Sequence, residues 1–313
     1  MRIARCRREI LAHGRTILGV GLLTLCASTT PCAHDASPLK AVPVTGASTG
    51  IGRKIAEHLA ADGYFVYAGA RKGSDLQALA AIQNVQPIRL DVTREQDIEA
   101  AVARISREGR GLYGLVNNAG VGAFGSLVEM KDADFDLIMS VNVYGPYRVT
   151  KAFAPLIAAQ KGRVVTIGSI AGILAGKQVG AYAMSKHALE AFADSLAEEM
   201  ATVHVLVSLI EPGNYNSDIG KNAFRRQGLD PALGDRTRFK EPDEVAGAVE
   251  NALSAAQPKR RYMVVPNEQE AELTIHKQIE QLVQLNEAQP YTYDRKRLIE
   301  MLDAALSRAR EGN

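Results

Sequence analysis

The sequence predicts an α/β fold, a doubly wound parallel sheet of seven strands in a single domain, preceded by a short basic-hydrophobic leader. Three observations lead there. From Leu39 onward, short β-branched apolar runs alternate with helical patterns. A glycine-rich turn, Thr45 to Gly52, falls between the first such run and the first helical pattern. All three cysteines (Cys6, Cys26 and Cys32) and the excess of positive charge sit in the leader.

Taken in order, the leader spans residues 1–37. It is basic from Met1 to Arg15, mostly apolar from Thr16 to Thr29, and polar with a proline from Thr30 to Ser37. That layout predicts an exported protein or a membrane anchor, with membrane association through the leader. The apolar run is shorter than the roughly 18 residues of a free span. A start codon assigned too far upstream would instead leave a cytoplasmic protein. Five arginines against one glutamate give residues 1–34 a charge of +4, which leaves −2 for the remainder of a chain whose net charge is +2. A faintly acidic body argues against nucleic-acid binding. Without cysteine it holds no disulfide framework and no thiolate metal site, and no metal is expected. At 313 residues and 46% hydrophobic, the chain is long and apolar enough to bury a sizeable core, and its composition excludes collagen, pervasive disorder and a multi-span membrane protein.

A single domain is expected over residues 38–313, with no linker and no repeat. Strands are predicted at 39–45, 64–70, 86–90, 113–118, 162–168, 203–210 and 261–265, with helices near 50–62, 95–107, 134–159, 180–201 and 242–255. Residues 268–288 form a further amphipathic helix within a C-terminal helical extension at about 266–313. Pro43 is an oddity, because it stands inside a strand that should be central, where proline removes a ladder donor. A local bulge or a free donor position would accommodate it.

The turn Thr45-Gly46-Ala47-Ser48-Thr49-Gly50-Ile51-Gly52 has the strand before it and the helix after it that a dinucleotide needs. Glycines there permit a tight turn, a close approach of backbone to a pyrophosphate and close helix–sheet packing. The backbone N–H groups and helix dipole then favour the anion.

This spacing, T-G-x-x-x-G-x-G, resembles the short-chain dehydrogenase/reductase (SDR) family, in its single-domain branch with a Rossmann-type sheet. Further motifs match in order. Asn117-Asn118-Ala119-Gly120 ends the fourth strand as the family's N-N-A-G, and Tyr182-Ala183-Met184-Ser185-Lys186 matches Y-x-x-x-K. Ser169 lies 13 residues before Tyr182, Asn142 lies 27 before Ser169, and Pro212-Gly213 follows the sixth strand. The resemblance covers about residues 39–265. Gly111 to Val116 and Glu211 to Asn214 look like the retinol, hydroxysteroid and 3-hydroxybutyrate dehydrogenase subgroup.

The resemblance implies hydride transfer between a nicotinamide and an alcohol or carbonyl. Tyr182 and Lys186, four apart on a helix, share a face. A free tyrosine has a pKa of about 10, and a nearby ammonium lowers it toward the range useful for acid–base catalysis. Tyr182 would be the general acid/base, Lys186 would lower its pKa and bind the nicotinamide ribose, Ser169 would orient the carbonyl oxygen, and Asn142 would hold a water in a proton relay. The implied cofactor-binding set is Gly46, Ser48, Thr49, Gly50, Ile51, Gly52, Arg71, Asp91, Val92, Asn118, Ala119, Gly120, Tyr182, Lys186, Pro212, Gly213 and Ser217. At the end of the second strand, Ala70 stands where NAD-selective folds carry an acid for the ribose 2′-hydroxyl. Arg71 follows, with a fork suited to a 2′-phosphate, and Lys72 adds charge. NADP(H) is therefore favoured, with NAD(H) as the alternative. Asp91 and Val92 would contact adenine, although Asp91 also suits a helix cap, and Ser217 would reach the carboxamide.

Segment 214–240 is the natural lid, because ligands lie outside the carboxyl ends of the strands. Its Tyr215, Ile219, Phe224 and Leu229 suggest a lipophilic small-molecule substrate (steroid, retinoid or hydroxy-acid-like), while Lys221, Arg225 and Arg226 would serve a carboxylate or face water. A homodimer or homotetramer is expected. A protein that only senses NAD(P) on the same fold is the competing reading, but it would be expected to have lost Ser169, Tyr182 or Lys186, and all three are present.

Overall fold

The computed structural model describes residues 39–311, so the leader and its three cysteines lie outside the described residues. Strand β1 (Ala41–Val44) leads through the glycine turn into α1 (Gly50–Ala61), then β2 (Phe65–Ala70), α2 (Gly73–Ala80), β3 (Val85–Arg89), α3 (Glu95–Glu108) and β4 (Gly114–Asn117). Helices α4 (Asp132–Asn142) and α5 (Tyr144–Ala159) precede β5 (Arg163–Ile167). They are followed by α6 (Gly180–Ala201), β6 (Leu206–Pro212), α7 (Ile219–Arg226), α8 (Asp243–Ser254), β7 (Arg261–Val264), α9 (Glu268–Asn286) and α10 (Arg295–Glu311). The seven strands form one all-parallel sheet in the order β3-β2-β1-β4-β5-β6-β7. The winding reverses between β1 and β4, which opens a crevice at their carboxyl ends.

Alternation along the strands divides the core between the two faces. Val42 and Val44 of β1, Val66 and Ala68 of β2 and Val165 of β5 pack with Ile55 and Leu59 of α1 and Val245, Val249 and Leu253 of α8. Ala41, Tyr67, Val164 and Val207 point the other way, onto Ile98 and Ile105 of α3 and Val149 and Phe153 of α5. Ile98, Ala101 and Ile105 recur at helical spacing, which is why α3 buries that stripe.

The structure modifies the sequence expectations at four places. The helix expected at 134–159 is two helices broken at Val143. Pro146, in the first turn of α5, has no N–H to give to the Asn142 carbonyl, so the hydrogen-bond ladder cannot run through the junction. The strand expected at 203–210 begins later and ends later, at Leu206–Pro212, because α6 runs into a tight turn in which His204 takes φ +59°. Helices α2 and α7 form in stretches that the periodicity left unassigned. Pro43 is buried in a central strand, paired with Tyr67 on the β2 side. The Ala41 carbonyl accepts from Tyr113 N–H and Thr45 N–H donates to the Val116 carbonyl, so the odd-numbered residues of β1 address β4. There the ladder registers only the Val44–Val116 pair, and Pro43 forgoes a single bond to that neighbour without a bulge. Among the described residues, no helix is long and apolar enough to cross a membrane.

Candidate active site

The glycine turn is fastened to the end of β4. The Thr45 hydroxyl oxygen accepts the N–H groups of Asn118 and Ala119, both at 3.0 Å, and the Asn118 amide donates to the carbonyls of Thr45 and Gly46 at 2.9 and 3.1 Å. Asn118 and Ala119 thus shape the turn from behind. Gly46 has φ +64°, and a Cβ there would stand 2.8 Å from Ala119 Cα. Gly52 packs the start of α1 against the Asn118 side chain and the Gly46 carbonyl, leaving no room for a methyl group. Thr49 is the N-cap of α1, yet no side chain caps that end, so the first-turn amides are offered outward beside exposed Thr49 and half-buried Ser48 and Ile51. Across from Gly50, a Cβ would meet Ser217 Cβ at 3.1 Å. This cradle of glycine backbone, uncapped amides and hydroxyls fits a dinucleotide phosphate.

Farther along the crevice, the Arg71 side chain is 62% exposed at the end of β2, and its guanidinium is 3.9 Å from the Asp91 carboxylate. Arg226 of α7 lies near enough for the two guanidinium charges to oppose one another. The other Asp91 oxygen accepts the Thr93 N–H and hydroxyl at 3.0 and 2.7 Å, so Asp91 does hold the local turn. Val92 is buried against Gly145 as a packing residue. Gly120 is exposed at the crevice. Gly213 is tied to β7 through its N–H to the Val264 carbonyl.

The structure brings Ser169, Tyr182 and Lys186 together beyond the end of β5. Ser169 caps a short 3₁₀ turn, Ile170–Gly172, accepting the Ala171 N–H at 3.1 Å, and its hydroxyl points to the Pro212 carbonyl at 3.4 Å. That hydroxyl also reaches the Tyr182 phenol. Lys186 is only 5% exposed, donates to the Ile167 carbonyl at 2.9 Å, and lies 5.6 Å from the Tyr182 ring centroid. Burial lowers its ammonium to about 8, opposed by the Glu190 charge. For Tyr182, burial raises the phenol above its usual value, while the Ser169 hydrogen bond and the Arg236 charge pull it back. Burial thus dominates at the phenol, while the Lys186 ammonium is hydrogen-bonded to the Ile167 carbonyl. Asn142 has its side chain fully engaged, accepting the Val121 N–H at 2.8 Å and donating to the Val121 carbonyl and the Ser185 hydroxyl at 2.9 and 3.0 Å. Any part it has in a relay falls to the main-chain carbonyl that Pro146 releases.

The lid expectation changes in detail. Tyr215 is a core residue, 1% exposed, and its hydroxyl donates to Glu244 at 2.6 Å. Phe224 stacks on Phe124 with centroids 4.5 Å apart. Lys221 pairs with Asp235 at 2.6 Å, Arg225 donates to Asn222 at 2.9 Å, and Arg226 donates to the Gly122 carbonyl. The lid cation that acts on Tyr182 is Arg236, which the sequence reading passed over because nothing distinguishes it from its basic neighbours.

Behind the site, Glu211 of β6 is 3% exposed and faces Glu190 of α6, which Arg261 clamps at 3.0 Å. Burial, reinforced by Glu190, raises the Glu211 carboxyl from 4.5 to about 8. Between those values the folded protein holds a proton that the unfolded chain has released, so stability falls as pH rises through that window. Melting temperatures of Glu211→Gln should decline less than those of the parent from pH 5 to about 8. Parallel curves would refute this assignment.

Comparison with known proteins agrees with this fold. The family model for short chain dehydrogenase matches residues 40–228. D-beta-hydroxybutyrate dehydrogenase, mitochondrial, from Bos taurus is 37% identical over 219 residues, 67% of this chain and 62% of that protein's length. A short chain dehydrogenase/reductase from Burkholderia phymatum, solved in complex with NAD, aligns with a TM-score of 0.68 at 25% identity, covering 82% of this chain and 99% of its own. A metagenomic short-chain oxidoreductase in complex with NADP aligns with a TM-score of 0.61 at 32% identity, covering 74% and 100%.

Proposed function

The chain belongs to the short-chain dehydrogenase family of NAD(P)-dependent oxidoreductases, and on that premise we propose that it interconverts an alcohol and its carbonyl compound with Tyr182 as the general acid/base. The convergence of Ser169, Tyr182 and Lys186 outside the carboxyl end of β5 carries this reading. Bound nicotinamide supplies or accepts the hydride. In reduction, the Tyr182 hydroxyl gives its proton to the carbonyl oxygen, which the Ser169 hydroxyl holds by a hydrogen bond. In oxidation, Tyr182 takes the alcohol proton. Lys186, whose ammonium lies 5.6 Å from the Tyr182 ring centroid, would bind the nicotinamide ribose on release from the Ile167 carbonyl, and its charge would then favour the phenolate. The carbonyl of Asn142 is the acceptor for a water that refills the proton on Lys186.

The Ser48–Gly52 turn would hold the pyrophosphate and Arg71 the adenine ribose, while Ser217, expected at the carboxamide, stands beside Gly50 at the turn. NADP(H) is the preferred form in this reading. Ala70 offers no carboxylate to a 2′-hydroxyl, and the exposed Arg71, 3.9 Å from Asp91, would receive a 2′-phosphate with its fork. Ala70→Asp is expected to shift the NADPH/NADH ratio of kcat/KM toward NADH by about 10- to 100-fold, the effect of one charge placed against a phosphate. An unmoved ratio would remove the NADP assignment.

The oxidoreductase reading is tested with a panel of retinoids, steroids, oxo acids and simple aldehydes, followed by the near-ultraviolet absorbance of NADPH and NADH. Consumption of reduced cofactor with at least one of them is expected. A protein that bound NAD(P) tightly but turned over none of the panel would be a nucleotide sensor.

A further inference from the structure

Arg236 stands apart from the other cations of the lid. Lys221, Arg225 and Arg226 are each engaged within the lid or with the adjoining backbone, whereas Arg236 turns inward. One end of its guanidinium donates to the Asn214 side-chain oxygen at 2.5 Å. Its Nε is buried and has no acceptor. Its Cζ lies 5.1 Å from the Phe239 ring centroid, which backs the plane of the fork. Asn214 is two residues beyond Pro212, whose carbonyl receives the Ser169 hydroxyl, so the fork opens beside the group that would hold the reacting oxygen. Glu270 is the acid whose field reaches Arg236, but its oxygens are taken by the Asn214 N–H at 2.8 Å and the Asn267 amide at 3.2 Å. Among the described residues no carboxylate forms an ion pair with Arg236.

Arg236 is partly buried with its Nε shut off from water; a guanidinium so placed without a carboxylate is costly, and its fork matches a carboxylate with two parallel hydrogen bonds. A folded protein keeps such a charge where a ligand completes it. We propose that Arg236 receives the carboxylate of the substrate, so that the compound interconverted here is a hydroxy acid and its oxo acid rather than a neutral lipophilic alcohol. The inference rests on the oxidoreductase reading above and narrows its substrate class. Asn214 holds the fork in register, and the carboxylate, once seated, fixes how far along the substrate the reacting carbon lies from the charged end.

The experiment compares short oxo acids with their methyl esters, which keep the shape and lose the charge. The parent protein should favour the best acid over its ester by about 30-fold or more in kcat/KM, expressed mainly in KM, the scale expected when a buried charge loses its partner. Arg236→Leu should bring that ratio to about one, and Arg236→Lys should restore part of it. Equal rates on acid and ester in the parent, or an equal loss on both in Arg236→Leu with an unchanged melting temperature, would overturn the proposal. Binding supplies a reading without turnover. Calorimetry on cofactor-saturated Tyr182→Phe protein should detect the oxo acid, and adding Arg236→Leu should abolish the signal. Equal binding by the two proteins overturns the carboxylate assignment whatever the activity. Failure of the whole carbonyl panel overturns the oxidoreductase reading instead.

Discussion

Tyr182→Phe is expected to lower kcat for carbonyl reduction by about 10²- to 10⁴-fold, the contribution of a positioned general acid. The substitution deletes one hydroxyl and keeps the ring, so the packing at the start of α6 and the melting temperature should stay close to those of the parent. KM for the carbonyl should move by far less than kcat, because the proton is given in the transition state rather than on binding. Titration of the cofactor by fluorescence should give an affinity near the parent value. The assignment of Tyr182 as the acid is wrong if the variant keeps its activity.

The pH dependence of the parent follows from the same residues. Burial places the Lys186 ammonium near 8 and raises the Tyr182 phenol. Reduction needs Tyr182 protonated and Lys186 charged, so kcat/KM for reduction should fall as pH rises past about 8, where Lys186 gives up its proton.

Gly52→Ala is expected to cripple nucleotide binding and to cost stability as well. Its new methyl group would collide with the Asn118 amide and the Gly46 carbonyl, which face each other across the start of α1. Both are parts of the staple between the turn and β4, so neither gives way without breaking the Asn118–Gly46 hydrogen bond. Overpacking of this kind costs about 1–3 kcal/mol. For a domain of this size, that lowers the melting temperature by roughly 2–4 °C per kcal/mol. The larger consequence is geometric, since a displacement of about 1 Å in a positioning element can cost 100-fold in rate. Gly73→Ala is the control, because a Cβ at Gly73, in the first turn of α2, meets nothing within 4 Å. Equal cofactor KM and melting temperature in the two variants would mean that Gly52 is not a packing glycine.

Much of the fold and the site can be read directly from the chain. Alternating apolar runs gave the parallel strands, because a strand buried on both faces must be apolar throughout. Ser169, Tyr182 and Lys186 come together as their spacing implied. The boundary between α4 and α5 was hidden because Val143 and Tyr144 continue a helical pattern; Pro146 was the available signal. The shift of β6 was hidden because Val203 and Val205 suit a strand as well as a turn, and only the left-handed backbone at His204 delays it. Asp91, Asn118 and Asn142 looked like ligand contacts by position. Their side chains also hold local structure, through a partner two residues away at Asp91 and partners 73 and 21 residues away at Asn118 and Asn142.

By itself, the sequence determined the strand–turn–helix cradle, the sheet and the Tyr182–Lys186 face, since each rests on local backbone preference or on a repeat of two or about four residues. Only the tertiary structure decided the electrostatics. Whether a cation is spent or available depends on which acids the fold brings within reach. Lys221 meets Asp235, while Arg236, fifteen positions on in the same lid, turns inward to Asn214. A buried charge is governed by its surroundings, and those surroundings are assembled from segments that the chain keeps far apart.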